Sequence, residues 1–191
     1  MKFSIFGLSL LLLLAACAGP QGMPAAEDKP LSLRLEVHGK TRWTWRIDDQ
    51  SIRGNGVNLQ RAGDVFFGFV GTEKLRLRRM TDGEHEWLST PAGNMAIQRQ
   101  EGGLVMAGTL WDQRHGAGWD GGVLLLSNPK FKLGLKREAE DQTLVDPDGQ
   151  IRLVFSGGDP DPILRRPEIL WLLLRKLLPS VKRVFVDSAP S

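Results

Sequence analysis

LSLRLEVHGKTRWTWRI, residues 31–47, is the segment that decides the fold. Apolar residues occupy alternate positions on both sides of a short turn that contains Gly39: Leu31, Leu33, Leu35 and Val37, then Trp43, Trp45 and Ile47. Alternation with a period of two places these side chains on one face of a strand. Two such strands around a short glycine-containing turn predict a β-hairpin.

The same alternation continues along most of the chain. Further strands are predicted at 52–60, 64–70, 74–78, 84–89, 94–100, 103–111, 122–127, 132–136 and 151–155. Turn residues separate them at the spacing that is typical of antiparallel sandwiches and barrels, and no helical period occurs between residues 31 and 156. We therefore expect a mainly β fold, an antiparallel meander that forms a barrel or a sandwich.

One helix is expected near the C-terminus, at residues 167–178. Pro167 suits a first helical position, Glu168 complements the positive helix start, and Arg175 and Lys176 complement its negative end. Pro179 is expected to end the helix. About 18 Å of helix is too short to cross a hydrocarbon core of about 30 Å.

The predicted helix is apolar in nearly every direction, so it must be buried on most sides. It can pack across an open end or face of the β-structure, or it can pass through the middle of a closed barrel. It can also lie in a membrane surface, flanked by basic residues: Arg165, Arg166, Arg175, Lys176, Lys182 and Arg183. The element order, many antiparallel strands followed by one apolar helix, resembles tubby-like and scramblase-like folds. That resemblance implies about a dozen strands around the helix.

The N-terminus has the layout of a secretory signal. Lys2 precedes the apolar run Leu8–Leu14, which ends in Ala15 and Ala16 beside Cys17. Leu14-Ala15-Ala16-Cys17 resembles the bacterial lipobox, in which the cysteine receives diacylglycerol and becomes the new N-terminus. This resemblance implies that residues 1–16 are a signal peptide and that Cys17 is a lipidation site.

The lipobox resemblance also sets the expected domain organisation and location. Residues 17–30 are the lipid anchor and a flexible proline-rich tether, and residues 31–191 form a single β-rich domain. Ala18 is not the aspartate associated with inner-membrane retention, so the resemblance implies the outer membrane, facing the periplasm. Cys17 is the only cysteine, so no internal disulfide is expected. Export separates the chain from cytoplasmic ATP, NAD and nucleic acid, so we expect no cofactor and no nucleic-acid partner.

A glycine-rich segment at 114–122 is the first candidate for a binding site. Residues 116–121 match G-x-G-x-x-G, but the following residues predict a strand where a dinucleotide site requires a helix. We interpret the segment as a loop that displays His115, Trp119 and Asp120 to a ligand. The alternative is that Trp119 folds back onto the core.

The sequence contains little that supports enzyme activity or a metal site. The three histidines stand in unrelated contexts, and no G-x-S-x-G motif occurs. Asp112, His115 and Asp120 form a weak metal pattern, while Asp146/Asp148 and Asp159/Asp161 have ordinary turn chemistry. No metal site and no enzyme activity are therefore expected, although residues that meet only in the fold leave acid–base chemistry open.

Basic residues recur on the polar sides of the predicted strands. They are Arg34, Arg42, Arg46, Arg76, Arg78, Arg99, Lys132, Lys136 and Arg152. Lys and Arg total 25 against 22 Asp and Glu, so any electrostatic effect depends on segregation of charge and not on its amount. Such faces protect sheet edges, or they contact anionic envelope material, with Arg76, Arg78, Lys132 and Lys136 as the candidate contacts.

The expected function is that of a lipid-anchored envelope binding or assembly module. Its partners would be the membrane, through Cys17, and an anionic envelope polymer, a lipid or another envelope protein. Two alternatives are kept. One is a periplasmic lipid or acyl-chain carrier with helix 167–178 as lid or plug, and the other is an envelope hydrolase that uses His115.

Overall fold

The computed structural model describes residues 30–138 and 142–187, with side chains up to residue 177. The expected signal peptide, the lipidation site Cys17 and the tether to residue 29 lie outside the described residues. Fourteen strands and two helices follow one another: β1 Leu31–Val37, β2 Lys40–Ile47, β3 Ser51–Gly54, β4 Val57–Ala62, β5 Val65–Val70, β6 Glu73–Thr81, β7 Glu86–Thr90, β8 Gly93–Gln100, β9 Gly103–Leu110, β10 Gln113–Trp119, β11 Val123–Asn128, β12 Phe131–Arg137, β13 Thr143–Val145, β14 Ile151–Ser156, α1 Asp161–Leu164 and α2 Pro167–Asp187.

The strands form a closed antiparallel barrel. Each strand pairs with the next along the chain, and β14 returns to pair with β1. Leu33 of β1 lies opposite Trp45 on one side and Phe155 on the other, so the inward residues form continuous rows around the barrel. The predicted meander is confirmed, and the barrel is the form it takes.

Two ends of the barrel can be distinguished, because successive turns of a meander alternate between them. The entry end holds Pro30, the start of β1, and the end of β14. The far end holds the turns after β1, β3, β5, β7, β9, β11 and β13. The connection from β14 to α2 lies at the entry end, so α2 begins there.

The number of strands differs from the prediction in three places. The predicted strand 52–60 is two strands, β3 and β4, which an Asn55-Gly56 turn separates. This turn chemistry is the strongest short signal for a hairpin. Gly54 before it has φ +146°, and a Cβ there would lie 2.1 Å from the Thr44 carbonyl oxygen, so only glycine fits. Strands β10 and β13 are the other two additions.

Helix α2 lies inside the barrel. The side chains from Ile169 to Leu173 have no solvent exposure, and Leu174 is 3% exposed. At 100° per residue, six consecutive side chains point in every direction around the helix axis, so protein must surround the helix on all sides. The helix packs against β10, β11 and β12 among the strands. Of the three arrangements expected for the helix, passage through the middle of a closed barrel is confirmed, with fourteen strands and not about a dozen. The packing across an open end and the position in a membrane surface were wrong.

Both ends of the buried part of α2 are held by charged contacts. At the entry end, the buried Glu168 carboxylate accepts hydrogen bonds from Arg79 Nη2 at 3.1 Å and from Arg166 Nε at 2.8 Å. At the far end, Arg175 forms an ion pair with Glu73. The hydrogen bond from Arg175 is the main reason that the pKa of Glu73 is lowered.

The predicted end of the helix was wrong. Helix α2 continues through Pro179 to Asp187. An interior proline removes one N–H donor and its ring crowds the carbonyl four residues earlier, at a cost of about 3 kcal/mol, but its φ is compatible with a helix, which can therefore continue through it. Within the residues that the structure describes, neither helix combines the length and the apolar character that a membrane span needs.

Two leucines in opposite environments test the position of α2. Leu172 has no solvent exposure inside the barrel, whereas Leu125 on β11 is 56% exposed. Leu172→Ala is expected to lower the free energy of unfolding by about 2–5 kcal/mol, because it leaves a cavity in a packed core. Leu125→Ala should change it by less than about 0.5 kcal/mol. Urea denaturation of both variants measures the difference, and equal shifts would contradict the enclosed helix.

A second prediction concerns Glu168, whose side chain is 1% exposed. Glu168→Ala leaves the guanidinium groups of Arg79 and Arg166 without their shared carboxylate, so the free energy of unfolding should fall by about 3–5 kcal/mol. Glu84→Ala, in the exposed turn after β6, is the control and should have little effect. Denaturation of Glu168→Ala at the midpoint of the unaltered chain would show that the buried pair does not hold the helix.

Candidate functional site

The glycine-rich candidate segment is a strand and not a loop. Residues Gln113–Trp119 form β10, and only Asp120, Gly121 and Gly122 connect it to β11. Gly116 and Gly118 occupy the outward positions, while Ala117 and Trp119 are buried. Trp119 is 1% exposed, so it belongs to the core and cannot stack on a ligand at the surface. The interpretation of residues 114–122 as a ligand-displaying loop was therefore wrong.

The three residues of that candidate site are also kept apart. His115 lies near the far end of β10 and Asp120 follows its entry end, about 16 Å away for five extended residues. The Asp120 carboxylate accepts hydrogen bonds from the N–H groups of Gly122 at 2.9 Å and Val123 at 2.6 Å. These bonds lower the pKa of Asp120 and shape the turn. The structure does not bring His115, Trp119 and Asp120 together.

The neighbour of His115 is an exposed tryptophan that the sequence did not single out. The imidazole meets the Trp111 ring edge-on at 5.6 Å, and its Nδ1 lies 2.9 Å from the Gln113 carbonyl oxygen. Trp111 and Asp112 both have positive φ, +48° and +59°, in a two-residue turn where glycine or asparagine is usual. Arg175 lies 5.7 Å from the Trp111 ring centroid, so this turn covers the point where α2 leaves the barrel.

The acidic pairs that could bind a cation have other partners. Asp146 accepts a hydrogen bond from the Ile151 N–H at 2.7 Å and closes its own turn. Asp159 and Asp161 both pair with Arg137, at 3.4 and 2.6 Å. Among the side chains that the structure describes, in residues 30–138 and 142–177, no three acidic, histidine or cysteine side chains come together in a group that could hold a metal ion.

A different set of residues forms one continuous surface on the outer side of β2–β6. We call it the cationic face and define it by five cations and two aromatic residues: Arg46, Arg53, Lys74, Arg76, Arg78, Phe67 and Phe69. All seven are exposed. The one carboxylate in these strands, Glu73, is in phase with the inward Leu75, but it is half exposed at the far end of the barrel, where it pairs with Arg175. Wherever an outward position of β2–β6 is charged, that charge is therefore positive.

The strand register fixes how these side chains sit beside one another. Phe69 lies opposite Lys74, and Phe67 lies opposite Arg76. One row of paired residues crosses all five strands: Arg46, Arg53, Asn58, Phe69 and Lys74. At about 4.8 Å between strands, the row is about 19 Å wide. Phe69 in this row is 46% exposed, and Phe67, two residues before it on β5, is 44% exposed.

None of the five cations of this face forms an ion pair with a carboxylate among the described residues. Arg53 alone acts on one at longer range, since its charge contributes to the lowered pKa of Asp48. Other predicted basic residues do form such ion pairs: Arg34 pairs with Glu36 at 2.9 Å, Arg99 with Glu86 at 2.7 Å, and Arg152 with Glu138 at 3.0 Å. These three arginines are neutralised locally. The cations of β2, β3 and β6 are thus free of such ion pairs, whereas these three arginines on other strands are not.

The four predicted contact residues do not share one surface. Arg76 and Arg78 belong to the cationic face, but Lys132 and Lys136 lie on β12, six strands away in a ring of fourteen. Gly134 separates the two lysines, and Leu125 of β11 lies beside it. The structure therefore places the two pairs on nearly opposite sides of the barrel.

Phe67 and Phe69 were not among the predicted site residues, although the sequence contained a pattern that places them on the cationic face. Val65–Val70 contains only apolar residues and one glycine, which is typical of a strand that is buried on both faces. Gly71 and Thr72 form a two-residue turn into β6, whose outward residues are cationic. Extending the register back from this turn would have placed both phenylalanines beside Lys74 and Arg76.

No protein-family model, curated protein or solved structure matches this chain. The geometry of the cationic face therefore carries the functional argument by itself.

Proposed function

We propose that this chain is a lipid-anchored envelope protein that works by binding an anionic component of the envelope at the cationic face. The observation that carries the proposal is the segregation of charge on β2–β6. Arg46 on β2 and Arg53 on β3 flank one side of the uncharged outward residues of β4 and β5, three cations of β6 flank the other side, and no outward position of these strands carries a carboxylate. Desolvated phosphate or carboxylate groups are the natural partners of such a surface.

The proposed anchor is Cys17, and the path of the chain supports its use with this face. β1 begins at the entry end, where Leu31 lies opposite Ile47 of β2. The chain therefore enters the barrel next to the first strand of the cationic face. Residues 18–30 reach at most about 45 Å when fully extended, so an anchored barrel stays close to its membrane. Ala18 supports placement at the outer membrane.

Binding is favoured over catalysis because His115, the histidine that the hydrolase alternative uses, has no suitable partner among its described contacts. The described contacts of the His115 ring are Trp111 and the Gln113 carbonyl oxygen. A hydrolase would need a nucleophile or an acidic partner within hydrogen-bond distance of this ring. The hydrolase alternative therefore gains no support from the geometry.

The packed interior of the barrel argues against the carrier alternative. Ile169–Leu174 fill the space in which an acyl chain would lie, and these residues are buried on all sides. Binding a lipid there would require α2 to leave and would break the buried contacts of Glu168. We therefore place the binding surface on the outside of the barrel.

The anchor is tested by Cys17→Ser in the full chain. The unaltered chain should incorporate labelled palmitate and lose its signal peptide, whereas the variant should do neither, because the acceptor thiol is absent. Ala18→Ser retains the thiol and serves as the control for processing. Equal palmitate labelling of Cys17→Ser and the unaltered chain would exclude Cys17 as the lipidation site.

The cationic face is tested by a matched pair of double variants. Arg76→Gln/Arg78→Gln removes two charges from the face, and Lys132→Gln/Lys136→Gln removes two from the opposite side. The first should weaken binding to immobilised polyphosphate by about tenfold, equivalent to about 1.4 kcal/mol, and the second should have a much smaller effect. Equal losses would mean that net charge alone governs binding, which would contradict a dedicated face.

A further inference from the structure

We infer that the partner of the cationic face is the surface of a negatively charged lipid bilayer, with Phe67 and Phe69 entering the headgroup region. The inference rests on the proposed function, because it names the partner of the same surface. It adds a role for the two aromatic residues, which an anionic polymer does not require.

The exposure of Phe67 and Phe69 is the first argument. Large apolar side chains at 44% and 46% exposure lose free energy of burial unless a partner covers them. They lie directly opposite Arg76 and Lys74, within one strand spacing of positive charge. A polyphosphate or a carboxylated polymer offers charge to the cations and little that is apolar to the rings. A bilayer surface offers phosphate groups and, just beneath them, acyl chains.

The form of the face is the second argument. The outward residues of neighbouring strands create a broad surface about 19 Å wide, and not a cleft. Between the cations and the rings stand Asn58 and Gln60, which are neutral, exposed and able to hydrogen-bond. An extended surface that mixes aromatic, basic and amide groups matches an interface where phosphates, glycerol oxygens and acyl chains lie at successive depths.

The position of the tether is the third argument. Ser32, two residues after the start of the described chain, lies opposite Arg46 of the cationic face. A lipid anchor attached upstream therefore holds this side of the barrel near the membrane. Exposed carboxylates flank the face in turns at the entry end, Asp49 and Asp64. We expect the contact to centre on Phe67 and Phe69, away from these turns.

The experiment uses residues 17–191 with Cys17→Ser, which contain every described residue and carry no acyl group. Sedimentation with vesicles measures the partition coefficient for phosphatidylglycerol mixed with phosphatidylcholine, and for phosphatidylcholine alone. Binding to the anionic vesicles should be at least about tenfold stronger, since each basic residue near such a surface contributes about fivefold. Polyphosphate beads provide the polymer probe in the same buffers.

Two pairs of variants separate the charged and the aromatic contributions. Arg76→Gln/Arg78→Gln should lower the partition into anionic vesicles by about 25-fold. Phe67→Thr/Phe69→Thr should lower it by about tenfold and leave polyphosphate binding unchanged, because the rings contact only the bilayer. Lys132→Gln/Lys136→Gln and Leu125→Thr are the controls on the other side of the barrel. Melting temperatures verify that each variant is folded, and single Phe69→Thr replaces the double variant if that one is unstable.

The outcomes distinguish this inference from the proposed function. If the chain binds polyphosphate through Arg76 and Arg78 but does not bind anionic vesicles, the bilayer is excluded as the partner. The proposed binding of an anionic envelope component at the cationic face is then retained. The bilayer is also excluded if the phenylalanine variants bind vesicles as tightly as the unaltered chain. If the arginine variants bind both probes normally, both proposals are wrong.

Discussion

The enclosure of α2 is the constraint on which the rest of the structure depends. A helix that is apolar in every direction from Ile169 to Leu174 cannot rest on a single sheet, because half of its surface would remain in water. A closed barrel solves this problem, since each strand presents its inward row to the helix. The strict alternation along the strands follows from the same need, and it explains why Trp45 and Trp119 point inward and are buried, as Trp171 on the enclosed helix is.

The charged residues of α2 are compatible with this interior because of their position along the axis. Around the helix, Glu168 and Arg175 share one sector, since seven residues at 100° each return to nearly the same direction. In the barrel, Glu168 meets Arg79 and Arg166 at the entry end, and Arg175 meets Glu73 at the far end. These contacts are about 10 Å apart along the axis, with only apolar side chains between them. The polar groups therefore fix the direction and depth of the helix without placing an unpaired charge in its middle.

The strands could be predicted from the sequence where apolar and polar residues alternate clearly. They could not be predicted where this contrast disappears. In β10, Gly116 and Gly118 stand at the outward positions, so its alternation looked like a flexible loop. Arg76 and Arg78 were identified from their pattern, but their neighbours Phe67 and Phe69 were not. Lys132 and Lys136 were grouped with them because a linear pattern does not say how far apart two strands lie in a closed ring. Pro179 was given too much weight, since one missing N–H donor does not end a helix.

Closing the barrel and filling it with α2 limits where binding can occur. Closure removes the free strand edges that other β proteins use to recruit partners, and the helix occupies the space in which lipocalin-like barrels hold ligands. The outward positions remain, and the core does not constrain which side chains stand there. On β8–β11 the central outward residues are Ala96, Ala107, Gly118 and Leu125, which are small or apolar. On β2, β3, β5 and β6 they include the five cations and two phenylalanines of the cationic face, with the amides Asn58 and Gln60 on β4, and packing alone does not account for that difference. We therefore attribute the difference between these two sides of the barrel to a binding function of the cationic face.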